Sequence, residues 1–307
     1  MKVLLTGATG FVGTHLKTRL EGAGHTVLTV SRGPSGDHDW SDASLSAGVA
    51  ASDAVIHLAG AGIFDKRWSD AYKREMIDSR VDTTRKLAGL CKQHEVGCFL
   101  TSSAIGYYGA REEPGLDESA SPGDDFLAKL CMEWEAAADE ARQAGVRTCT
   151  VRTGVVLGLG GGALKAMMPP FKLGAGGPLG TGLQWVSWVH IQDLCSLFVH
   201  LLENESSSGI YNGTAPNPVS MTQFARALGR ALGRPAFIKT PGFAMKLLLG
   251  GVASVLLEGQ HVRPVRAMGE GFVFLYRDID TAFAELVGPQ AAQAPSAGEP
   301  KAGAASA

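Results

Sequence analysis

The chain has 307 residues, a formal net charge of −2 and 45% hydrophobic residues. That length holds one large α/β domain plus a smaller appendage, and the even charge balance points away from nucleic-acid and membrane-surface partners. Five cysteines without a C-x-x-C pair or metal-ligand spacing, and a first strand that starts at residue 2, lead us to expect reduced thiols in a cytoplasmic protein.

The apolar run Val3-Leu-Leu5 predicts a strand that feeds a glycine-rich turn, with Gly7, Gly10 and Gly13 at three-residue spacing. Phe11, Val12, Leu16 and Leu20 then recur at helical intervals. Strand, turn and helix in this order open a dinucleotide-binding βαβ unit. Gly7 permits the tight turn, Gly10 admits a pyrophosphate to the backbone, and Gly13 lets helix and strand pack closely. The phosphates are expected on the helix N-terminus, among Gly7, Thr9, Gly10, Phe11, Val12 and Gly13.

His25-Thr-Val-Leu-Thr-Val30 supplies the second strand, and Ser31-Arg32 stands where NAD-selective folds place an acid. A guanidinium can fork onto a 2′-phosphate that a carboxylate would repel, so the expected cofactor is NADP(H). The competing reading of Arg32 is a solvated loop residue. Ala54-Val-Ile-His-Leu-Ala59 is a third strand, ending at Gly60, and Leu58, Ala59 and Gly60 should line the cofactor. Cys98-Phe-Leu-Thr-Ser-Ser103 and Arg147-Thr-Cys-Thr-Val-Arg152 follow as strands, alternating with helical patterns over residues 72–90 and 126–144. The alternation predicts a Rossmann-type doubly wound α/β fold, a parallel sheet covered on both faces with its ligand at the carboxyl ends of the strands.

Beyond Gly158 glycines crowd the chain and the alternation loosens. Residues 186–193 and 209–214 read as short returns to the sheet, and 221–232 as an amphipathic helix. The apolar stretch 243–257 is too short and too interrupted to span a bilayer and reads as a buried or lid-like helix. We therefore divide the chain into a nucleotide-binding domain over 1–158, with later strands from 186–215, and an interleaved substrate-side region over 159–287. Residues 288–307, rich in Ala, Gln, Pro, Gly and Ser, should form a disordered tail.

Together, Thr6-Gly-Ala-Thr-Gly-Phe-Val-Gly13, His57-Leu-Ala-Gly60, Ser102-Ser103 with Tyr107-Tyr-Gly109, and Trp188-Val-His-Ile-Gln-Asp193 resemble the extended and atypical short-chain dehydrogenase/reductases. Lys66-Arg-Trp68, Ser79-Arg-Val-Asp-Thr-Thr84, Val155-Val-Leu-Gly-Leu-Gly-Gly-Gly162 and Leu257-Glu-Gly-Gln-His-Val-Arg-Pro264 are similar to the YfcH-like epimerase-family branch. The resemblance runs from residue 1 to about 288. It implies the fold of sugar-nucleotide epimerases with a small C-terminal domain and leaves the substrate undefined; our own expectation is an oxidoreductase or epimerase acting on a small, polar, carbonyl- or hydroxyl-bearing metabolite.

In that superfamily a Tyr four residues before a Lys moves the substrate proton, with a Ser or Thr nearby. Here the resemblance places Lys129 as the lysine, but Asp125 stands where the tyrosine should be. Three readings follow: Asp125 is the acid if burial raises its pKa, Tyr107 or Tyr108 reaches in from the strand end, or the protein binds nucleotide without a proton relay and acts as a sensor. Ser102 and Ser103 would meet the nicotinamide, with strand-end backbone capping as their ordinary role. Arg80 would contact cofactor phosphate or ribose, or hold Glu75, and Val155 would offer its amide to the carboxamide. Trp185, Trp188 and His190 read first as packing core, His57 as structural and Asp193 as a turn organiser. A monomer or a homodimer is expected.

Overall fold

The computed structural model describes residues 1–111, 113 and 115–288; residues 289–307, which hold nearly all of the expected tail, lie outside them. Strands run over Lys2–Thr6 (β1), Thr26–Val30 (β2), Ala54–His57 (β3), Cys98–Ala104 (β4) and Arg147–Thr153 (β5). Val155–Leu157 (β6), Trp185–Val186 (β7), Trp188–His190 (β8), Gly209–Gly213 (β9) and Val219–Ser220 (β10) complete them. The helices are Phe11–Gly22 (α1), Asp42–Ala50 (α2), Asp70–Gln93 (α3), Phe126–Gln143 (α4), Gly162–Lys172 (α5) and Ile191–Glu203 (α6). The C-terminal part adds Met221–Leu232 (α7), Gly242–Leu249 (α8), Ala253–Leu257 (α9), Val265–Gly269 (α10) and Ile279–Val287 (α11).

One parallel six-stranded sheet, ordered β2-β1-β3-β4-β5-β9, forms the centre of the molecule. The runs Val3-Leu-Leu5 of β1 and Ala54-Val-Ile56 of β3 are apolar throughout because both faces of the sheet are covered. Val3, Leu5, Ile56, Leu100 and Val151 pack with Leu16 and Leu20 of α1 and Leu194, Leu197 and Phe198 of α6. Leu4, Val55 and Phe99 face the other way, against Leu45 of α2, Leu87 and Cys91 of α3, and Ala138 and Ala141 of α4. From β1 the chain turns to β2 on one side, while β3 adds on the other, so the strand order reverses at the β1/β3 boundary. The resulting crevice at the carboxyl ends is where this fold class binds ligands.

Of the two expected returns, only β9 joins the main sheet; β8 pairs with β6 in a separate two-stranded unit. A second core gathers Trp188, Phe224 and Phe283 between α5, α7 and α11. The expected single helix over 243–257 is broken at Gly250, whose φ of +62° suits glycine, and no residue of α8 is buried. All five cysteines are free and buried. Desolvation pushes the thiols of Cys91, Cys131, Cys149 and Cys195 up to about 12, and that of Cys98 to about 11.

Candidate functional site: a nucleotide crevice at the strand ends

Gly7 adopts φ +73°, and a Cβ placed there would lie 2.8 Å from the Leu58 carbonyl carbon. The turns after β1 and β3 therefore abut, and only glycine fits between them. A Cβ on Gly13 would come within 2.8 Å of the Gly7 carbonyl carbon, so α1 packs directly on the turn. Gly10 caps α1 without a side-chain acceptor, and its N–H donates to the Gly7 carbonyl at 2.9 Å. The first-turn N–H groups of Phe11, Val12 and Gly13 have no carbonyl partner within the helix, which leaves this end able to accept an anion. Thr9 sits exposed at its rim.

The glycine-rich turn after β6 closes over the same end. Cβ atoms at Gly158 and Gly162 would stand 2.8 and 3.1 Å from the Phe11 ring. Glycine crowding was visible in the sequence, but its partner, 150 residues away, was not.

At the end of β2, Arg32 is exposed and without a partner among the described residues, and Ser31 Oγ accepts the Gly33 N–H at 3.1 Å. Asp37 is the nearest downstream carboxylate. It accepts the Thr29 N–H at 2.8 Å and the Thr29 hydroxyl at 2.9 Å, and these bonds hold it below the usual carboxylate range. The acid is thus turned back onto the strand and the guanidinium is left free.

Leu58, Ala59 and Gly60 follow β3 and are held from beneath. His57 is fully buried, its Nδ1 2.6 Å from the Thr6 hydroxyl and its Nε2 3.2 Å from the Thr83 hydroxyl. It ties β1, β3 and α3 together, in the structural role expected for it. Arg80 does not reach for phosphate and does not hold Glu75. It is buried, donates to the Ala61 carbonyl at 2.8 Å and the Met76 carbonyl at 3.2 Å, and lies 5.2 Å above the Trp134 ring. Arg80 therefore supports the loop that lines the crevice, while Glu75 pairs with Lys66 at 2.9 Å.

The residues considered for proton transfer fall into three places. Ser103 and Tyr108 belong to a buried network. The Ser103 hydroxyl donates to Glu135 at 2.7 Å, and Glu135 takes a two-pronged bond from Arg152, each prong 2.8 Å. Tyr108 donates to the Asn212 amide oxygen at 2.7 Å and accepts from Arg152 at 3.0 Å. Burial pushes the Tyr108 phenol up to about 12. Its side chain is fully enclosed, so Tyr108 is not the group that reaches in.

Asp125 and Lys129 share the exposed first turn of α4. The Asp125 carboxylate caps that helix, accepting the Ala128 N–H at 2.8 Å, and the burial that would make it an acid is missing. Lys129 has no side-chain partner among the described residues. Ser102 points to the opposite face of β4 from Ser103, with Oγ 3.3 Å from the Thr153 hydroxyl. Tyr107 stacks on the Arg152 guanidinium at 3.3 Å, half-buried, its hydroxyl unpartnered among the described residues. The Val155 N–H is engaged with the Ser187 carbonyl at 2.9 Å, which corrects its expected role as a donor to the carboxamide.

Of the aromatic cluster expected near the substrate, Trp188 is buried with its indole N–H on the Asn217 carbonyl, and His190 caps α6 and meets Glu285 at 2.9 Å. Trp185 stands edge-on to His261. Asp193 receives the backbone N–H groups of Leu275 and Tyr276, organising a turn as expected.

Residues 3–212 match the NAD dependent epimerase/dehydratase family, and 240–286 match a domain of unknown function. The chain belongs to the NAD-dependent epimerase/dehydratase family. It is 40% identical over 303 residues to the chloroplastic epimerase family protein SDR39U1 homolog of Arabidopsis thaliana, covering 94% of this chain and 87% of the relative. The crystal structure of human epimerase family protein SDR39U1 (isoform 2) with NADPH superimposes with a TM-score of 0.85 at 37% identity, covering 94% of this chain and 99% of that one. UDP-N-acetylglucosamine 4-epimerase from Bacillus cereus, at 18% identity and a TM-score of 0.76 over 93% of this chain and 98% of its own, shares the fold.

Proposed function

We propose that the chain is an NADP(H)-dependent oxidoreductase or epimerase acting on a small metabolite with a carbonyl or hydroxyl group, of polar or nucleotide-sugar-like character. The observation that carries this reading is the end of β2, where Arg32 is free and Asp37 is bonded back to Thr29. A 2′-phosphate meets a cation there and no competing acid. NADPH in the human relative supports it.

The turn from Gly7 to Gly13 would hold the pyrophosphate, Ser31 and Arg32 the 2′-phosphate, and the loop at Leu58, Ala59 and Gly60 would flank the nucleotide. When bound, the nicotinamide would supply or take up hydride at its C4. Ser102 and Thr153 present two hydroxyls at the strand ends that can hold a substrate oxygen. Tyr107, with the one unpartnered phenol of the Tyr107-Tyr108 pair, is the residue we assign to move the proton.

The exposed Asp125 and Lys129 favour a second reading, a nucleotide sensor without a proton relay. Incubating the protein with 4-deuterated NADPH, each cofactor face in turn, and a metabolite extract separates the two. Deuterium in one metabolite names the substrate, with Tyr107→Phe expected to slow the transfer by about 100-fold. Binding of NADPH without any label sinks net oxidoreduction and leaves the sensor or an epimerase that returns its hydride to the same molecule.

A further inference from the structure

Between β2 and α2 the chain makes a short loop that carries both Ser31 and Arg32. The Ser31 N–H donates to the His38 carbonyl and the His38 N–H to the Thr29 carbonyl, each at 3.0 Å, so residues 32–37 close on the end of the strand. Two further contacts pin the loop. Asp37, whose carboxylate takes the N–H and the hydroxyl of Thr29, also donates its own N–H to that hydroxyl at 3.3 Å. His38 rests its ring against Gly48 of α2, where a Cβ would lie 2.9 Å from it. Residues 32–35 are exposed, whereas Gly36 is half-buried.

Gly36 is what allows the loop to close. A Cβ there would stand 2.8 Å from the Ser31 nitrogen and 2.8 Å from the His38 carbonyl oxygen, the two atoms of the closing hydrogen bond, and 2.7 Å from the Ser31 Cβ. The φ of Gly36 is not left-handed, so the requirement is one of space rather than of backbone conformation. Gly33, in the same loop, is under no such constraint: its Cβ would meet only the Ser31 Oγ, at 4.0 Å.

We infer that Gly36 is a specificity-determining residue for NADP(H) over NAD(H), because it lets the loop close in the shape that presents Ser31 and Arg32 together. This rests on the reading of those two residues as the 2′-phosphate site. The Ser31 Oγ accepts the Gly33 N–H, which leaves its own proton to donate to a phosphate oxygen, while Arg32 supplies the charge. A loop already held in this shape loses little of the phosphate contact to ordering itself. A side chain at position 36 would wedge the closing bond apart and displace Ser31 and Arg32. The turn from Gly7 to Gly13 belongs to another element, so the loss falls on the 2′-phosphate.

Calorimetric binding of NADPH, NADH, 2′,5′-ADP and 5′-AMP to the full chain and its variants tests this role. Gly36→Ala should weaken NADPH and 2′,5′-ADP about tenfold and leave NADH and 5′-AMP within about twofold. Gly33→Ala, with room for its methyl group, should bind all four like the parent. Thr29→Val removes the hydroxyl beneath Asp37 and loosens the loop from its other end. It should lower the preference for NADPH over NADH about threefold, and it decides the question alone should Gly36→Ala not fold. Equal losses for phosphorylated and unphosphorylated nucleotides, or equal losses in Gly33→Ala and Gly36→Ala, would overturn the inference. So would an unchanged preference in Gly36→Ala. Arg32→Ala separates this role from the site itself. A selective loss of NADPH in Arg32→Ala but not in Gly36→Ala leaves the site standing and removes Gly36 from it; an unchanged preference in Arg32→Ala removes both.

Discussion

His57 sits fully enclosed between two threonine hydroxyls, and desolvation first, then the Arg80 charge, lowers its pKa from 6.5 to about 3. The folded state therefore holds it neutral. A depressed folded pKa means that its stabilising effect is complete above pH 6.5 and is lost as pH falls toward 3. The expected slope is about 1.4 kcal/mol per pH unit. Urea unfolding at pH 7, 6 and 5 should show that loss in the parent and a shallower slope in His57→Asn; parallel slopes would assign acid sensitivity elsewhere. Arg32 offers a cofactor test at the same scale. Arg32→Ala should weaken NADPH by about 2 kcal/mol, near thirtyfold, and leave NADH almost unchanged, because one charge-assisted contact is removed. Equal losses for both nucleotides would remove the 2′-phosphate from this site.

Among the elements, α4 shows how a residue at a catalytic address can hold a different office. Asp125 takes the Ala128 N–H at the helix start, so Asp125→Ala should cost about 1 kcal/mol in thermal or urea unfolding. Deuterium transfer, if found, should survive that change; its loss with stability intact would return Asp125 to the chemistry. The strands β1 and β3 were legible as apolar runs and β5 by its place in the alternation with helices, and the observed limits of β1 to β5 fall within two residues of the expected ones. The helix α3 starts at Asp70 rather than 72 because Ser69 accepts the Tyr72 N–H and caps it. By contrast α2, with Leu45 and Val49 as its main apolar anchors, carries too short a period to be seen. The pairs β6/β8 and β7/β10 span two or three residues each, below any alternation a sequence can display.

Across the whole molecule, the glycine cradle could be read from spacing alone, whereas the polar network beneath it could not. Ser103, Arg152 and Asn212 are register neighbours on β4, β5 and β9, yet 49 and 60 positions separate them in the chain. Glu118 receives the N–H groups of Asn212 and Arg266 and is raised above the ordinary glutamate range by burial. No local pattern announces such partners; only the parallel register brings them together. That is also why Ser103 and Tyr108, reasonable by position, turned out to be bonded inward, and why Arg80 became a support for the loop after β3. The five enclosed thiols have a practical corollary. With every native thiol shielded and poorly ionised, the folded chain is already a silent background for maleimide or spin-label chemistry. One cysteine substituted at an exposed position would then carry the probe alone, without any native residue having to be removed.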